Sequence, residues 1–221
     1  MECWNSGSPD SNTPTLHHSI TPVPSVPSSA ICAICVLEEV TTMHEEIIMA
    51  GTGGQGIMIM GQLLAHAAMS EGRHVVWFPS YGPEARGGTA DCTVIISSDE
   101  IGSPISSNPD TLIGMHQLLF DRFQPQVKPG GKLIINTSLI DTSTTRTDVD
   151  RLEVPANTIA EEIGNIRAAN MIVLGAYVQS TGIVALDSLI AALPEVLPSH
   201  RHKLIPINEK ALRRGAALAS G

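Results

Sequence analysis

Aromatic side chains are scarce in this chain of 221 residues: three Phe, two Tyr and two Trp, or 3% of the total. Any core must therefore be aliphatic, and with 43% hydrophobic residues there is enough Ile, Leu, Val, Ala and Met to build one. Positive charge is also in short supply. Thirteen Lys and Arg stand against 22 Asp and Glu, a formal net charge of −9. That balance argues against a nucleic-acid backbone as partner, which needs clustered Lys and Arg, and it fits a soluble cytoplasmic protein. Five basic residues fall between Arg201 and Arg214, which predicts the charged face and last turn of a C-terminal helix. Cysteine is limited to Cys3, Cys32, Cys35 and Cys92. Cys32-Ala33-Ile34-Cys35 has no second pair to complete a four-ligand site and lacks the strand-to-helix setting of a redox motif. Two inert thiols are expected there, with adventitious metal or redox behaviour as the alternative. An iron–sulfur cluster held by this chain alone is not expected, for want of four cysteines at cluster spacing.

Residues 1–42 contain no Lys or Arg, five prolines and twelve Ser or Thr. Such a composition cannot bury enough apolar surface to offset its ordering entropy, so a disordered N-terminal extension is predicted. It carries neither the basic n-region of a secretory signal nor the Arg-rich character of a transit peptide. The apolar run Ala30 to Leu37 is far short of the roughly 20 residues that span a bilayer, and no membrane partner is expected. Met43 stands where a compact domain, residues 43–221, would begin, so residues 1–42 read as an upstream extension.

From Glu45 onward the pattern alternates between strand and helix. Ile47–Ala50 is a short apolar run suited to a buried parallel strand. Gly56 to Ser70 carries apolar residues at near-helical spacing and is stopped by Glu71-Gly72. His74 to Phe78, Thr89 to Ser97, Thr111 to Met115 and Lys132 to Asn136 read as further strands. A short helix is expected around His116 to Phe123, and a polar loop over Asp141 to Asp150. Helices are expected after Val154-Pro155-Ala156-Asn157, capped near Pro155–Asn157, and over Ala168 to Ser180, Ala185 to Leu193 and Pro198 to Ala219. The predicted fold is α/β: an open, mostly parallel Rossmann-like sheet flanked by helices, with a helical C-terminal part.

Two glycine-rich segments stand out. Gly51-Thr52-Gly53-Gly54-Gln55-Gly56 lies between the first strand and the first helix and satisfies G-x-G-x-x-G. Its backbone amides, at a helix N-terminus, could hold a phosphate or pyrophosphate. A dinucleotide site would also want an acid at the end of the second strand, where Phe78-Pro79-Ser80 supplies none. Three readings stay open: a dinucleotide site, another phosphate-bearing ligand, or a tight turn packed against a partner or the sheet. Tyr81-Gly82-Pro83-Glu84-Ala85-Arg86-Gly87-Gly88 lies one strand further on, at the edge where open α/β sheets place ligands. Arg86 could present its donor fork to a carboxylate or phosphate, or pair with Glu84. The eight histidines form no metal pattern, and there is no G-x-S-x-G elbow. Catalytic and metal-binding residues are therefore not expected.

Together these two segments closely resemble the gamma subunit of 2-oxoacid:ferredoxin oxidoreductases, of the 2-oxoglutarate and 2-ketoisovalerate type, in the pyruvate/ketoisovalerate oxidoreductase gamma-domain family. The resemblance continues through Ile101-Gly102-Ser103-Pro104, Lys128-Pro129-Gly130-Gly131, Val154-Pro155-Ala156-Asn157 and Ala169-Asn170-Met171, and through His200-Arg201-His202-Lys203-Leu204-Ile205-Pro206. It spans about Met43 to Leu212.

The resemblance implies a reaction in which 2-oxoacid, CoA and oxidised ferredoxin give acyl-CoA, CO2 and reduced ferredoxin. It implies alpha and beta, in some complexes delta, subunits as partners. Thiamine diphosphate, Mg and iron–sulfur clusters would reside in those partners, and the chain alone would be inactive. Gly51, Gly53, Gly54, Gln55, Gly56, Tyr81, Gly82, Pro83, Glu84, Arg86, Gly87 and Gly88 are then the candidates for contacting CoA, its phosphates or the neighbouring subunits. The alternative is a stand-alone dinucleotide- or flavin-binding protein.

Overall fold

The computed structural model describes residues 43–82, 88–141 and 146–219. The expectations for residues 1–42, including the Cys32–Cys35 pair, lie outside the described residues, as do the site candidates Pro83, Glu84, Arg86 and Gly87.

Six strands form one sheet among the described residues: β1 (His44–Thr52), β2 (His74–Tyr81), β3 (Thr89–Ser97), β4 (Thr111–Gly114), β5 (Lys132–Asn136) and β6 (Asp150–Val154). Their order is β2-β3-β1-β4-β5-β6. β1, β4, β5 and β6 pair in parallel, whereas β3 runs antiparallel to both β1 and β2. The helices are α1 (Ile57–Ser70), α2 (Gln117–Phe123), α3 (Ala156–Ile163), α4 (Ala169–Thr181), α5 (Leu186–Val196) and α6 (Ile205–Ala219).

The apolar run of β1 is covered on both faces, as a central strand requires. Ile47 and Met49 point into a large core shared with α1, α4 and α5, while Ile48 and Ala50 join a smaller core with Leu119, Phe120 and Phe123 of α2. α4 is buried all round: every residue from Ala169 to Val178 is buried. A helix without a polar face must be enclosed by other elements, and here α6 lies directly against it. The two helices meet at glycines. A Cβ on Gly175 would overlap the Leu212 carbonyl, and one on Gly215 would overlap the Ile172 carbonyl. That backbone-to-backbone crossing fixes where the N-terminal end of α6 points.

Three local expectations need correction. The polar stretch ending at Asp150 runs into a strand, β6, whose Asp-Arg-Leu-Glu-Val sequence hides the signal because an edge strand keeps its charges in water. Only Val154 is fully buried there. The cap of α3 is not local: Asn136 Oδ1 accepts the Ala156 N–H at 3.3 Å, and Asn136 Nδ2 donates to Asn157 Oδ1 at 2.9 Å. The C-terminal helix is divided, with a 3-10 segment over Ser199–Leu204 before α6. Its basic residues therefore do not occupy a last helical turn; Arg201 and Lys203 belong to the 3-10 segment. In the sheet β3 lies between β1 and β2, so the strand following α1 is not β1's neighbour.

Candidate functional site

The C-terminal end of β1 and the turn between β2 and β3 lie on one rim of the sheet, because Thr52 pairs with Thr89 and Tyr81 with Ala90. The two glycine segments are bonded to each other across that rim. Gly53 N–H donates to the Gly88 carbonyl at 2.9 Å, and within the second connection Gly82 N–H donates to the Thr89 carbonyl at 2.8 Å. Within the first segment the Gln55 side chain acts as an internal post. Its Oε1 accepts the Thr52 N–H at 2.7 Å and its Nε2 donates to the Met115 carbonyl at 3.0 Å. Both ends of that amide are thus engaged in holding the turn.

Gly56 closes the turn at φ +78°, a conformation that disfavours any residue with a Cβ. It is also the N-cap of α1, which has no side-chain cap and no acid in its first turn. The first amides of α1 consequently lack intrahelical acceptors and carry the positive end of the helix dipole. Asn170 of α4 seals the other side. Its Nδ2 donates to the Gly56 carbonyl at 3.3 Å and its Oδ1 accepts the Met171 N–H at 2.9 Å.

These elements surround a cavity of about 930 Å³. Of the residues singled out by sequence, Gly53, Gly54, Gln55, Gly56, Tyr81, Gly82 and Gly88 line it. Gly51 does not: it is buried at the strand end, where a Cβ would come within 2.6 Å of Gln55 Oε1 and Ile57 Cδ1. The opposite wall was not among the site candidates, although Asn170, Arg201 and Leu204 fall in segments that carry the resemblance. It is built by Asn165, Arg167 and Asn170 at the start of α4 and by Leu197, Arg201, Leu204 and Asn208 around the start of α6. Met58, Ile59 and Met171 supply apolar floor.

Charge is distributed unevenly. No Asp or Glu lines the cavity among the described residues, although acids outnumber bases in the chain, and both Arg167 and Arg201 do. Neither guanidinium has an ion-pair partner among the described residues, whereas Arg146, Arg213 and Arg214 pair with acids elsewhere. The lining is therefore cationic, donor-rich and partly apolar, which suits an anionic ligand with an uncharged body.

Other ionisable groups lie away from this cavity. Glu45, at the opposite end of β1, accepts a hydrogen bond from Thr111 Oγ1 at 2.6 Å. Burial, helped by the neighbouring Asp110, raises its pKa despite that bond and the nearby Lys128. Burial likewise raises Asp91 against the pull of Arg122. The Cys92 thiol sits behind α1 and is pushed up to about 12 by burial. No three His, Cys, Asp or Glu side chains gather as metal ligands among the described residues, and no helix among them is long and apolar enough to cross a membrane.

Comparison with known proteins gives the chain relatives of one kind. The profile of the family described as pyruvate ferredoxin/flavodoxin oxidoreductase matches residues 46–218. The ketoisovalerate oxidoreductase subunit VorA of Methanothermobacter marburgensis is 44% identical over 170 residues, which is 76% of this chain but 35% of that protein. The chain thus spans about a third of the VorA length. The 2-oxoglutarate synthase subunit KorC of Methanocaldococcus jannaschii is 36% identical over 159 residues, 71% of this chain and 85% of KorC. Among solved structures, the gamma subunit of a keto/oxoacid ferredoxin oxidoreductase from Geobacter sulfurreducens superimposes with a TM-score of 0.68 at 31% identity, covering 80% of this chain and 98% of that one.

Proposed function

The chain belongs to the pyruvate ferredoxin/flavodoxin oxidoreductase family, and from that premise we propose that it is the gamma-type subunit of a 2-oxoacid:ferredoxin oxidoreductase. The complex would convert a 2-oxoacid, CoA and oxidised ferredoxin into acyl-CoA, CO2 and reduced ferredoxin, with 2-oxoglutarate or a branched-chain 2-oxoacid as substrate. Residues 43–221 form its gamma domain, the alpha and beta subunits and in some assemblies a delta subunit are its partners, and the cytoplasm is its site of action. The names of the relatives support this reading.

The observation that carries the chemistry is the meeting of both glycine segments on one cavity that, among the described residues, is lined by no acid and by two arginines without an ion-pair partner. CoA fits such a lining: it is polyanionic at its nucleotide end and otherwise long, amide-bearing and largely uncharged. The turn over Gly53–Gly56 and the first amides of α1 offer N–H donors to a phosphate. Met58, Ile59 and Tyr81 exclude water from the uncharged part. In the assembled enzyme thiamine diphosphate, with its Mg ion, supplies decarboxylation chemistry and iron–sulfur clusters carry electrons. The proposed contribution of this chain is to bind and orient CoA and to dock the neighbouring subunits. Pro83, Glu84, Arg86 and Gly87, which lie outside the described residues, are proposed on the sequence alone as further contacts for CoA or the neighbouring subunits.

A stand-alone dinucleotide-binding role finds no support. With β3 lying between β1 and β2, the end of β2 stands one strand away from the glycine turn. The residues there are Ser80 and Tyr81, neither able to act as the acidic ribose partner.

The test is to purify the complex through a tag on this chain and assay ferredoxin reduction with a panel of 2-oxoacids. Turnover is expected only with partner subunits and CoA present. Oxidation of any 2-oxoacid by the isolated chain, or tight binding of NAD or FAD to it, would overturn the proposal.

A further inference from the structure

Helices finish one face of the sheet and leave much of the other open. Among the described residues α1, α4 and α5 cover the face that carries Ile47, Met49, Trp77 and Cys92. Gly61 of α1 lies directly against Trp77 Nε1 and Cys92 Sγ. The opposite face has one described helix, α2, seven residues long, over Ile48, Ala50, Leu112, Leu133 and Ile135. Its two flanks carry no described helix, and they are built differently. On the β6 flank the residues in register with Leu133 and Ile135 are Arg151 and Glu153, both exposed, as suits a strand facing water. On the β3–β2 flank the pairs are Ile95 with Val76 and Thr93 with Phe78. Strand alternation puts all four on the side away from α1. Ile95 is buried and Val76 half-buried, but Phe78 is 49% exposed. Leu118 of α2 is 61% exposed. It shares a side of that helix with Arg122, whose charge acts on Asp91 of β3. An apolar patch of Val76, Phe78 and Leu118 thus has Thr93, Asp91 and Arg122 at its border, the pattern of a protein-binding surface.

We propose that the β3–β2 flank docks the polypeptide corresponding to the part of VorA outside the matched 35%. Two observations choose that occupant over a second copy of this chain. In VorA the domain is one part of a longer chain, so the remainder is always held beside it at high effective concentration. In KorC the match covers 85% of a protein named a subunit. A neighbour there has no such tether, and the domain's own surface must supply the contact. Apolar side chains on an uncovered sheet face supply it through burial, whereas a flank meant for water would carry charges as β6 does. A specific interface covers about 800 Å² on each partner. Phe78, Val76 and Leu118 are therefore its centre, and the footprint continues over the outer side of α2. The inference rests on the reading that the chain works within a complex, and it adds where the neighbour sits and which residues hold it.

The experiment takes the full chain and, as probe, the corresponding polypeptide from the same organism. Hydrogen exchange is followed over β2 and α2 with and without that probe, and affinity is measured by calorimetry. The variants are Phe78→Lys and Leu118→Lys. Met69→Lys is the control, because Met69 is 59% exposed but lies on α1, behind the sheet. Exchange in β2 and α2 is expected to slow by about tenfold on binding, with α1 unchanged around Met69. Phe78→Lys should weaken binding by about tenfold or more and Leu118→Lys by a smaller factor, while Met69→Lys should change it by less than about twofold. Exchange needs no substitution, so it decides the matter even where Phe78→Lys does not fold.

Binding with no slowing of exchange in β2 or α2, or with full affinity in both lysine variants of the patch, would overturn this inference and leave the proposed function standing. So would a dimer of the chain alone that Phe78→Lys splits, since the flank would then join two copies. Failure of the wild type to assemble with any partner subunit would overturn both.

Discussion

Replacing Gly56 by Ala tests whether the glycine turn and α4 are as tightly joined as the geometry implies. Two costs arise. The backbone at φ +78° is left-handed, and giving it a Cβ costs about 1–2 kcal/mol. The new methyl would also overlap Asn170 Nδ2, forcing that side chain away from its 3.3 Å bond to the Gly56 carbonyl. Overpacking of this kind typically adds about 1–3 kcal/mol, for a total of about 2–5 kcal/mol. Gly54 provides the control. It too has a positive φ, +101°, but nothing lies within 4 Å of where its Cβ would be, so Gly54→Ala should show backbone strain alone, about 1–2 kcal/mol. Urea unfolding followed by circular dichroism reads both. The steric part can be isolated by making Gly56→Ala in an Asn170→Ala background, where the clashing amide is gone. The cost of Gly56→Ala should fall there by about 1–3 kcal/mol. Equal costs at Gly54 and Gly56, with coupling to Asn170 below about 0.5 kcal/mol, would refute the claimed contact.

Three further outcomes follow from named contacts. Gly215→Ala places a methyl against the Ile172 carbonyl, a backbone atom that cannot turn aside. It should destabilise by about 1–3 kcal/mol or more and weaken ligand binding through displacement of α6, as chemical unfolding and calorimetry would show; an unaltered unfolding midpoint would contradict the crossing. Glu45 is raised above its ordinary value of 4.5, so its contribution to stability is fully present below that value and lost as pH rises through the higher folded-state pKa. Glu45→Gln keeps an oxygen for Thr111 and removes the titration, so the variant should match wild type near pH 4 and exceed it at neutral pH; a stability difference that does not vary with pH would sink this account. Cys92 is buried with its thiol pushed up to about 12. Peptide mapping after iodoacetamide treatment at pH 8 should find it unmodified in the native protein and modified in denaturant, and labelling of the native state at the rate of a free thiol would contradict its burial.

How much of the fold the sequence revealed depended on whether each segment's signal was local. Lys132–Asn136 and Thr89–Ser97 were legible to the residue because each is a β-rich run bounded by clear breaks. β6 was not, because an edge strand exposes its charged residues and pairs on one side only. The antiparallel β3 was also hidden. Nothing in an alternating run of residues says which neighbour it will join, and here β3 separates β1 from β2. The cap on α3 failed for a similar reason, since its acceptor is Asn136, 20 residues earlier in the chain.

The site shows the same division, and the division has a consequence for the chemistry. Its glycine wall announces itself because turns with positive φ and close backbone approach demand glycine, and that demand is written in the sequence. The facing wall makes no such demand. Asn208 and Arg201 lie on a helix and a 3-10 segment where many residues would be tolerated, and they reach the cavity only because α6 is drawn onto α4 by Gly175 and Gly215. Glycine amides can hold a phosphate but, having no side chains, they cannot choose between one phosphorylated ligand and another. Discrimination must therefore come from the wall that does have side chains. The side chains able to make that choice are the ones sequence spacing could not reveal, carried there by a helix crossing some 90 to 160 residues away in the chain from the turns they face.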